Sequence, residues 1–145
     1  MQAIIFIGAQ ASGKSSFYQD RFADSHVRIN LDMLKTRRRE RLLLEACLTM
    51  QQPFVIDNTH PRREDRARYM ADIKAAGFST TAYYFASRIA ELLQRNACRP
   101  RVVPEKGVLA TYSKLCQPSY DEGFETLYYV EMVRDGGFKV AEWQT

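Results

Sequence analysis

The chain has 145 residues, 46% of them hydrophobic, and a formal net charge of +4, which predict one globular domain over 1–145 with no room for a second. It has no apolar stretch of about 18 residues and no basic residues before its first apolar run, so we expect neither a membrane span nor a signal peptide. Its three cysteines form no C-x-x-C pair, which argues against a disulfide framework or a zinc site and favours a soluble cytoplasmic protein.

The first half of the chain alternates between apolar runs and amphipathic stretches. A continuous apolar run at 2–7 ends at Gly8 and predicts a buried parallel strand, after which a helix begins near Gly13. The next predicted elements are an extended segment at 27–30, a helix from Leu31 to about Gln51, a buried strand at 54–56 and a helix at 62–76. Pro61 and Gly77 mark the two ends of that last helix.

The second half continues the alternation. Its predicted elements are a strand at 80–85, a helix at 88–97, an irregular segment at 98–104, a helix at 108–116, a strand at 127–133, a turn at 135–137 and a strand at 138–143. Alternating strands and helices predict an α/β fold of three layers, with a central, mainly parallel sheet of about five strands.

The clearest motif is a phosphate-binding loop. Residues 8–15 match G-x-x-x-x-G-K-S/T between a predicted strand and a predicted helix, the context that this motif requires. Backbone N–H groups of such a loop surround phosphate oxygens, Lys14 reaches the β and γ phosphates, and Ser15 offers an oxygen to Mg²⁺. We therefore expect a nucleoside triphosphate site. Its binding residues are Gly8, Ala9, Gln10, Ala11, Ser12, Gly13, Lys14, Ser15 and Ser16.

Two carboxylates follow predicted strands, at the edge where parallel sheets collect ligands. Asp32 follows the segment at 27–30 and is either the general base for an acceptor hydroxyl or a helix N-cap. Asp57 ends the strand at 54–56 and is either a magnesium-associated carboxylate or a turn residue. The residues alone leave these alternatives open.

A short basic segment carries the whole net charge of the chain. Between Lys35 and Arg41 there are five basic residues and one acid, a local charge of +4. Such a patch either follows a phosphate backbone, with salt-dependent binding, or forms a solvated helix face.

Four blocks resemble the 5′-kinase module of polynucleotide kinases. They are the phosphate loop, Asn30-Leu31-Asp32 with a basic residue three positions later, the run 55–61 leading into 66–69, and the lid-like block 91–96 with Arg99 and Val103-Pro104. The blocks follow the family's order, and the resemblance covers about residues 2–118.

The resemblance implies a P-loop kinase with an arginine-bearing lid, which moves the γ-phosphoryl of ATP to the 5′-hydroxyl end of DNA or RNA with Mg²⁺. It implies that Lys14 and Ser15 hold phosphates and metal, Asp32 is the general base, and Lys35 contacts acceptor phosphate. It also implies that Arg99, with Arg95, binds the nucleotide and stabilises the transferring phosphoryl group, and that Asp57 supports the magnesium or a basic-residue network near the loop. The expected acceptor-binding residues are Asp32, Lys35, Arg38, Asp57, Asn58 and Thr59.

By analogy, the resemblance suggests a role in nucleic acid repair and a separately encoded phosphatase or ligase partner, with no membrane involvement. The chain departs from the family at Leu31, where relatives carry arginine, and at Lys35, a point charge where relatives have an arginine fork. It also has Gln10-Ala11 where relatives often have proline and glycine.

Two rival functions remain at this stage. One is a kinase of a small metabolite such as a nucleoside, sugar or antibiotic, because the same fold serves many acceptors. The other is a non-catalytic, ATP-dependent nucleic-acid adaptor, which would keep its activity after loss of Asp32.

Other residues fit structural roles better. His26 and His60 have no partner at ligand spacing, and His60 is expected to line the acceptor loop or cap the next helix. The aromatic residues at 83–85 and 128–129 are expected to pack in the core rather than stack on bases. Four arginines are expected on a salt-bridged helix face: Arg62, Arg63, Arg66 and Arg68.

Overall fold

The computed structural model describes residues 1–86, 88–99, 102–133 and 136–143. Within them the strands are β1 (Gln2–Ile7), β2 (Val27–Ile29), β3 (Phe54–Asp57), β4 (Ser79–Phe85), β5 (Thr126–Met132) and β6 (Phe138–Glu142). The helices are α1 (Lys14–Arg21), α2 (Leu31–Leu34), α3 (Arg37–Met50), α4 (Arg63–Ala75), α5 (Ile89–Cys98) and α6 (Glu105–Lys114), and a 3₁₀ turn covers Tyr120–Glu122. No described helix has the length and apolarity that a bilayer crossing requires.

One six-stranded sheet forms the middle layer, in the order β2-β3-β1-β4-β5-β6. The first five strands are parallel, and β6 runs antiparallel to β5. Central β1 pairs with β3 on one side and β4 on the other, with Ile5 opposite Ile56 and Ala82. The predicted α/β fold with a mainly parallel sheet is confirmed, with one strand more than expected. The loop that leaves β1 therefore lies at the middle of the sheet's carboxyl edge.

Helices cover both faces because successive side chains of a strand point to opposite sides. On one face Ile5 packs in a core with Leu44 of α3 and Ile73 of α4. On the other, Phe6 packs with Phe17 of α1, their ring centroids 5.8 Å apart. This alternation explains why the central strand reads as a continuous apolar run.

The helix predicted from Leu31 to Gln51 is wrong, because two helices occupy this stretch. Lys35 has a φ of 75° and ends α2 after four residues. Thr36 then caps α3, since its hydroxyl accepts a hydrogen bond from Arg39 N at 3.2 Å. The break separates Asp32 from most of the basic segment.

Other boundaries differ by a few residues. The helix predicted at 108–116 is α6, which begins at Glu105 just after Pro104 and ends at Lys114. The turn predicted at 135–137 includes Asp135, which lies outside the described residues.

The predicted salt-bridged face of α4 does not include Arg66, which is fully buried and forms its ion pair with a distant segment instead of with its helix neighbours. Its Nε and Nη2 donate to the two carboxylate oxygens of Glu122 at 2.8 and 3.2 Å, and its Nη1 donates to Cys116 O at 2.9 Å. Arg66 thus ties α4 to the segment between α6 and β5. Two exposed ion pairs do lie on this helix, Arg62–Asp65 and Arg63–Asp121.

Candidate nucleotide and acceptor site

The loop between β1 and α1 has the strained backbone of a phosphate-binding turn. Ala11 and Gly13 have positive φ values of 65° and 100°, and Gly8 N donates to Thr59 O at 3.0 Å. A Cβ at Gly13 would also lie 2.8 Å from the sulfur of Met132, so glycine is needed there on both grounds. Because α1 begins at Lys14, its first backbone N–H groups lie at the mouth of the loop.

Lys14 is buried inside this loop. Its Nζ donates to the carbonyl oxygens of Gly8 and Ala9, each at 2.9 Å. Burial lowers the pKa of Lys14 to about 8, because the charged ammonium loses water. Four charged side chains also act on Lys14 electrostatically, namely Asp57, Arg99, Asp32 and Arg28. Three of the predicted site residues, Asp57, Arg99 and Asp32, therefore lie near enough to influence the charge of the loop lysine.

One loop hydroxyl has no partner within the described chain. The Oγ of Ser12 is buried and forms no hydrogen bond there. A buried hydroxyl without a partner is costly, so it marks a position where a ligand oxygen fits. The donors of the loop suit the phosphates of a nucleotide.

Ser15 and Asp57, the expected magnesium ligands, lie side by side, with Ser15 Oγ 3.5 Å from Asp57 Oδ2. Neighbouring oxygens around Mg²⁺ are about 3 Å apart for bonds of about 2.1 Å, so this pair fits the ion in both chemistry and spacing. Arg28 of β2 contacts both: its Nε donates to Asp57 Oδ2 at 2.8 Å, and its Nη2 donates to Ser15 Oγ at 2.9 Å. Asp57 therefore belongs to a basic-residue network as well as to a candidate metal site.

Arg28 was not identified from the sequence. It lies in a three-residue strand, two residues before the Asn30-Leu31-Asp32 block and outside it. Its contact with Asp57 follows from the pairing of β2 with β3, which only the sheet order reveals.

Asp32 lies in the first turn of α2, and its side chain is exposed. It is not the N-cap, so that alternative is wrong. Asn30 is the cap: its Oδ1 accepts from Met33 N at 2.9 Å, while its Nδ2 donates to Asp57 O at 2.6 Å. Asn30 thus joins the turn that carries Asp32 to the end of β3.

Asn58, next to Asp57, holds the same turn from the other side. Its Oδ1 accepts from Leu31 N at 2.8 Å, and its Nδ2 donates to the buried carboxylate of Glu40 at 2.9 Å. Glu40 also accepts from Arg37 Nη1 at 2.8 Å. The sequence identifies Glu40 only as the one acid within the basic segment. No feature of the neighbouring sequence shows that its side chain is buried at this site.

His60 is buried in the segment between β3 and α4. The expectation that it lines the acceptor loop or caps α4 is therefore wrong. Its Nδ1 donates to Phe6 O at 2.8 Å, and burial lowers its pKa to about 4, so the ring is neutral. The first turn of α4 is instead capped by Asp65, whose carboxylate accepts from Arg62 N at 3.0 Å.

Helices α5 and α6 dock on the phosphate loop. Leu92 of α5 and Val108 of α6 pack against Ala9 in a small buried cluster. Gln10 Nε2 donates to Thr111 Oγ at 3.1 Å, and Arg95 Nε donates to Ala11 O at 2.8 Å. The predicted lid residue Arg95 therefore contacts the loop, and the Gln10 side chain, part of the Gln10-Ala11 departure, supplies one of the anchoring groups.

Only some of the cations in the basic segment are free to bind a ligand, because the others have partners within the chain. Three of its arginines have partners in the chain: Arg37 with Glu40, Arg39 with Leu34 O, and Arg41 with Glu45 and Asp72. The side chains of Lys35 and Arg38 are exposed and form no hydrogen bond or ion pair with the described part of the chain. Lys35 follows α2 and is close in sequence to Asp32. The side chains of Lys35 and Arg38 are therefore the two cations of the basic segment that remain for an acceptor.

The tyrosines pack on one another, as expected. The rings of Tyr83 and Tyr128 are stacked with centroids 4.9 Å apart, and Tyr84 is buried. Tyr84 also helps to line a cavity of about 350 Å³ that adjoins Ala9 of the phosphate loop.

Comparison with known proteins identifies the family of the chain. Residues 4–118 match the family model AAA_33, described as an AAA domain. The chain belongs to this AAA domain family. The match covers nearly the same residues as the resemblance noted from the sequence, and it supports membership of the P-loop kinases rather than of the polynucleotide kinases in particular. A family of this kind implies ATP and typically Mg²⁺.

Solved structures with this AAA-domain fold share little sequence with the chain. A gluconokinase from Sinorhizobium meliloti 1021 has a TM-score of 0.63 and 18% identity, over 90% of this chain and 82% of that one. Kti12 from Chaetomium thermophilum, in complex with ADP-AlF3, has a TM-score of 0.62 and 14% identity, over 89% and 88%. A structure of the PezAT toxin-antitoxin system of Streptococcus pneumoniae has a TM-score of 0.62 and 15% identity, over 94% and 70%. At these identities the likeness shows the fold alone.

Proposed function

We propose that this P-loop kinase domain transfers the γ-phosphoryl group of ATP to the 5′-hydroxyl end of a nucleic acid. The observation that carries the proposal is that Asp32, Asp57 and Arg99 all act electrostatically on Lys14, while the side chains of Lys35 and Arg38 form no hydrogen bond or ion pair within the described chain. A carboxylate base, a phosphate-binding lysine and acceptor-side cations are the parts that this transfer requires.

On the donor side, Lys14 and the loop N–H groups hold the β and γ phosphates, and Arg99 offsets the charge that gathers on the transferring group. Ser15 and Asp57 hold magnesium, which neutralises phosphate oxygens when bound. Arg28, already in contact with both, keeps the Asp57 carboxylate oriented toward Ser15.

On the acceptor side, Asp32 accepts the proton of the 5′-hydroxyl as its oxygen attacks the γ phosphorus and ADP leaves. Lys35 and Arg38 bind the phosphates that follow the terminal nucleotide, beside Asn58 and Thr59. A separately encoded phosphatase or ligase that prepares or joins such ends is the partner that this chemistry suggests.

A second candidate is a kinase of a small hydroxylated metabolite. The engagement of Arg37, Arg39 and Arg41 within the chain favours it, because a reduced basic surface suits a short acceptor as well as a polymer. The gluconokinase with a similar fold fits this candidate equally.

The test is transfer of labelled γ-phosphoryl from ATP to matched 5′-hydroxyl and 5′-phosphate oligonucleotides, for wild type and Asp32→Asn. We expect label on 5′-hydroxyl strands only, and a loss of about 10²- to 10⁴-fold in the variant with ATP affinity unchanged. Asp20→Asn, which removes a carboxylate from an exposed pair on α1, is the matched control. Full transfer by Asp32→Asn would contradict the assignment of the base, whereas ATP binding by wild type without any transfer would favour the non-catalytic adaptor.

A further inference from the structure

Glu40 is a buried carboxylate where α3 meets α4 and the loop after β3. Its side chain is only 4% exposed, although its sequence neighbours on α3 are exposed basic residues. Arg37 Nη1 donates to its Oε1 at 2.8 Å, Asn58 Nδ2 donates to its Oε2 at 2.9 Å, and Tyr69 OH lies 3.2 Å from both oxygens. Burying a charge with this many partners specifies an arrangement, because each partner must point its donor at one carboxylate.

The carboxylate fixes the orientation of the Asn58 amide. An ionised carboxylate only accepts hydrogen bonds, so Asn58 must present its NH₂ group to Glu40. Its oxygen then points the other way and accepts from Leu31 N at 2.8 Å. If the amide turned over, its NH₂ group would face the backbone N–H of Leu31, and that hydrogen bond would be lost.

The segment held by this hydrogen bond is α2, which has only four residues. A helix of this length has no stability of its own, so contacts from outside determine where it lies. The side chains of Asn30 and Asn58 supply acceptors for the N–H groups of Met33 and Leu31. Asp32 lies between those two residues, so the position of its carboxylate depends on both hydrogen bonds.

We propose that Glu40 is a positioning residue that places Asp32 for catalysis, acting through Asn58 and the first turn of α2. The inference rests on the proposed role of Asp32 as the base, and it holds for any acceptor hydroxyl. The competing interpretation is that Glu40 merely anchors α3 through Arg37 and Tyr69.

Two substitutions and their combination separate these interpretations. In Glu40→Gln, the one amide oxygen of the glutamine must accept from Arg37, Tyr69 and Asn58. The glutamine NH₂ group then faces one of these donors, and the Asn58 amide is no longer held in one orientation. In Asn58→Asp, two carboxylates face each other. In the double variant the amide at position 40 donates to the new carboxylate at position 58, its oxygen serves Arg37 and Tyr69, and Leu31 N keeps an acceptor.

The first readout is the kinetics of phosphoryl transfer. We expect each single variant to lower kcat by about 10- to 100-fold, since a small misplacement of a reacting group has this effect, with KM for ATP within about twofold of wild type. The double variant should recover most of the lost kcat. Glu45→Gln, which removes an exposed carboxylate paired with Arg41 on the same helix, should leave kcat unchanged.

The second readout is hydrogen exchange at the Leu31 amide, measured by NMR on the folded protein. Exchange should be faster in each single variant and slow again in the double variant. If Glu40→Gln does not fold, Asn58→Asp and the double variant carry the comparison. Recovery of kcat and of protection supports the proposal. No recovery overturns it, as does an undiminished kcat or an unchanged Leu31 exchange in the single variants.

The two proposals fail in different ways. If wild type phosphorylates no oligonucleotide but does phosphorylate a small acceptor, the proposed function fails and the Glu40 variants are tested on that acceptor. If no acceptor is found, the exchange at Leu31 alone decides whether Glu40 holds this turn.

Discussion

At Lys14, the folded loop and a bound nucleotide favour opposite protonation states. Burial lowers the pKa of Lys14 in the nucleotide-free protein to about 8. A bound triphosphate stabilises the ammonium form and raises this pKa. Binding therefore takes up a proton above pH 8, and ATP affinity should fall as pH rises through about 8.

Titration calorimetry in two buffers of different ionisation enthalpy measures both the affinity and the proton uptake. The exposed Lys106, replaced in Lys106→Gln, serves as the control and should show the wild-type profile. Equal ATP affinity on both sides of pH 8, with no proton uptake, would contradict this account of Lys14.

The buried pair of Arg66 and Glu122 should stabilise the fold far more than its exposed neighbour. Glu122→Gln leaves an arginine charge uncompensated in the interior, which costs about 3–5 kcal/mol of unfolding free energy. Asp121→Asn, which breaks the exposed pair with Arg63, should cost far less, because solvent screens an exposed pair. Urea unfolding compares the two, and similar losses would show that Arg66 does not depend on Glu122.

At the scale of elements, the packing of α3 engages some charges of the basic segment, those of Arg37, Arg39 and Arg41, and leaves others free. Two free cations, Lys35 and Arg38, should contribute about −1.4 to the slope of log K against log salt for a single strand. Lys35→Gln with Arg38→Gln should remove that part of the slope. Arg41→Gln is the control, because Arg41 already pairs with Glu45 and Asp72.

Fluorescence anisotropy with a labelled 5′-hydroxyl oligonucleotide, over a range of salt concentrations, provides these slopes. A wild-type slope near zero would rule out a role for Lys35 and Arg38 in holding a polymer. An equal change of slope on loss of Arg41 would show that its ion pairs open on binding.

The strands could be predicted because buried parallel strands are continuous apolar runs, as at 2–7 and 54–56. The helix break could not, because a lysine with positive φ at position 35 has no sequence signature. Arg66 was misassigned for a similar reason: its partner Glu122 lies 56 residues away, and local charge spacing contains no information about it.

At the scale of the whole molecule, the sheet order assembles the site. Central β1 places the loop between the ends of β3 and β4, and β2 pairs with β3 so that Arg28 reaches Asp57. The phosphate loop was predictable because its residues are contiguous and each has a fixed role. Arg28 and Glu40 were not, since their contacts exist only once distant elements have packed.

The most direct test of the proposed function is one reaction in which the acceptors compete. The enzyme is given ATP, Mg²⁺ and equal concentrations of a 5′-hydroxyl oligonucleotide, a nucleoside and gluconate, and mass spectrometry shows which product has gained a phosphoryl group. The account predicts phosphorylation at the 5′ end of the oligonucleotide, and at least about 10²-fold less of it with Asp32→Asn. Phosphorylation of the nucleoside or gluconate, with the oligonucleotide unchanged, would contradict it and assign the domain to a small acceptor.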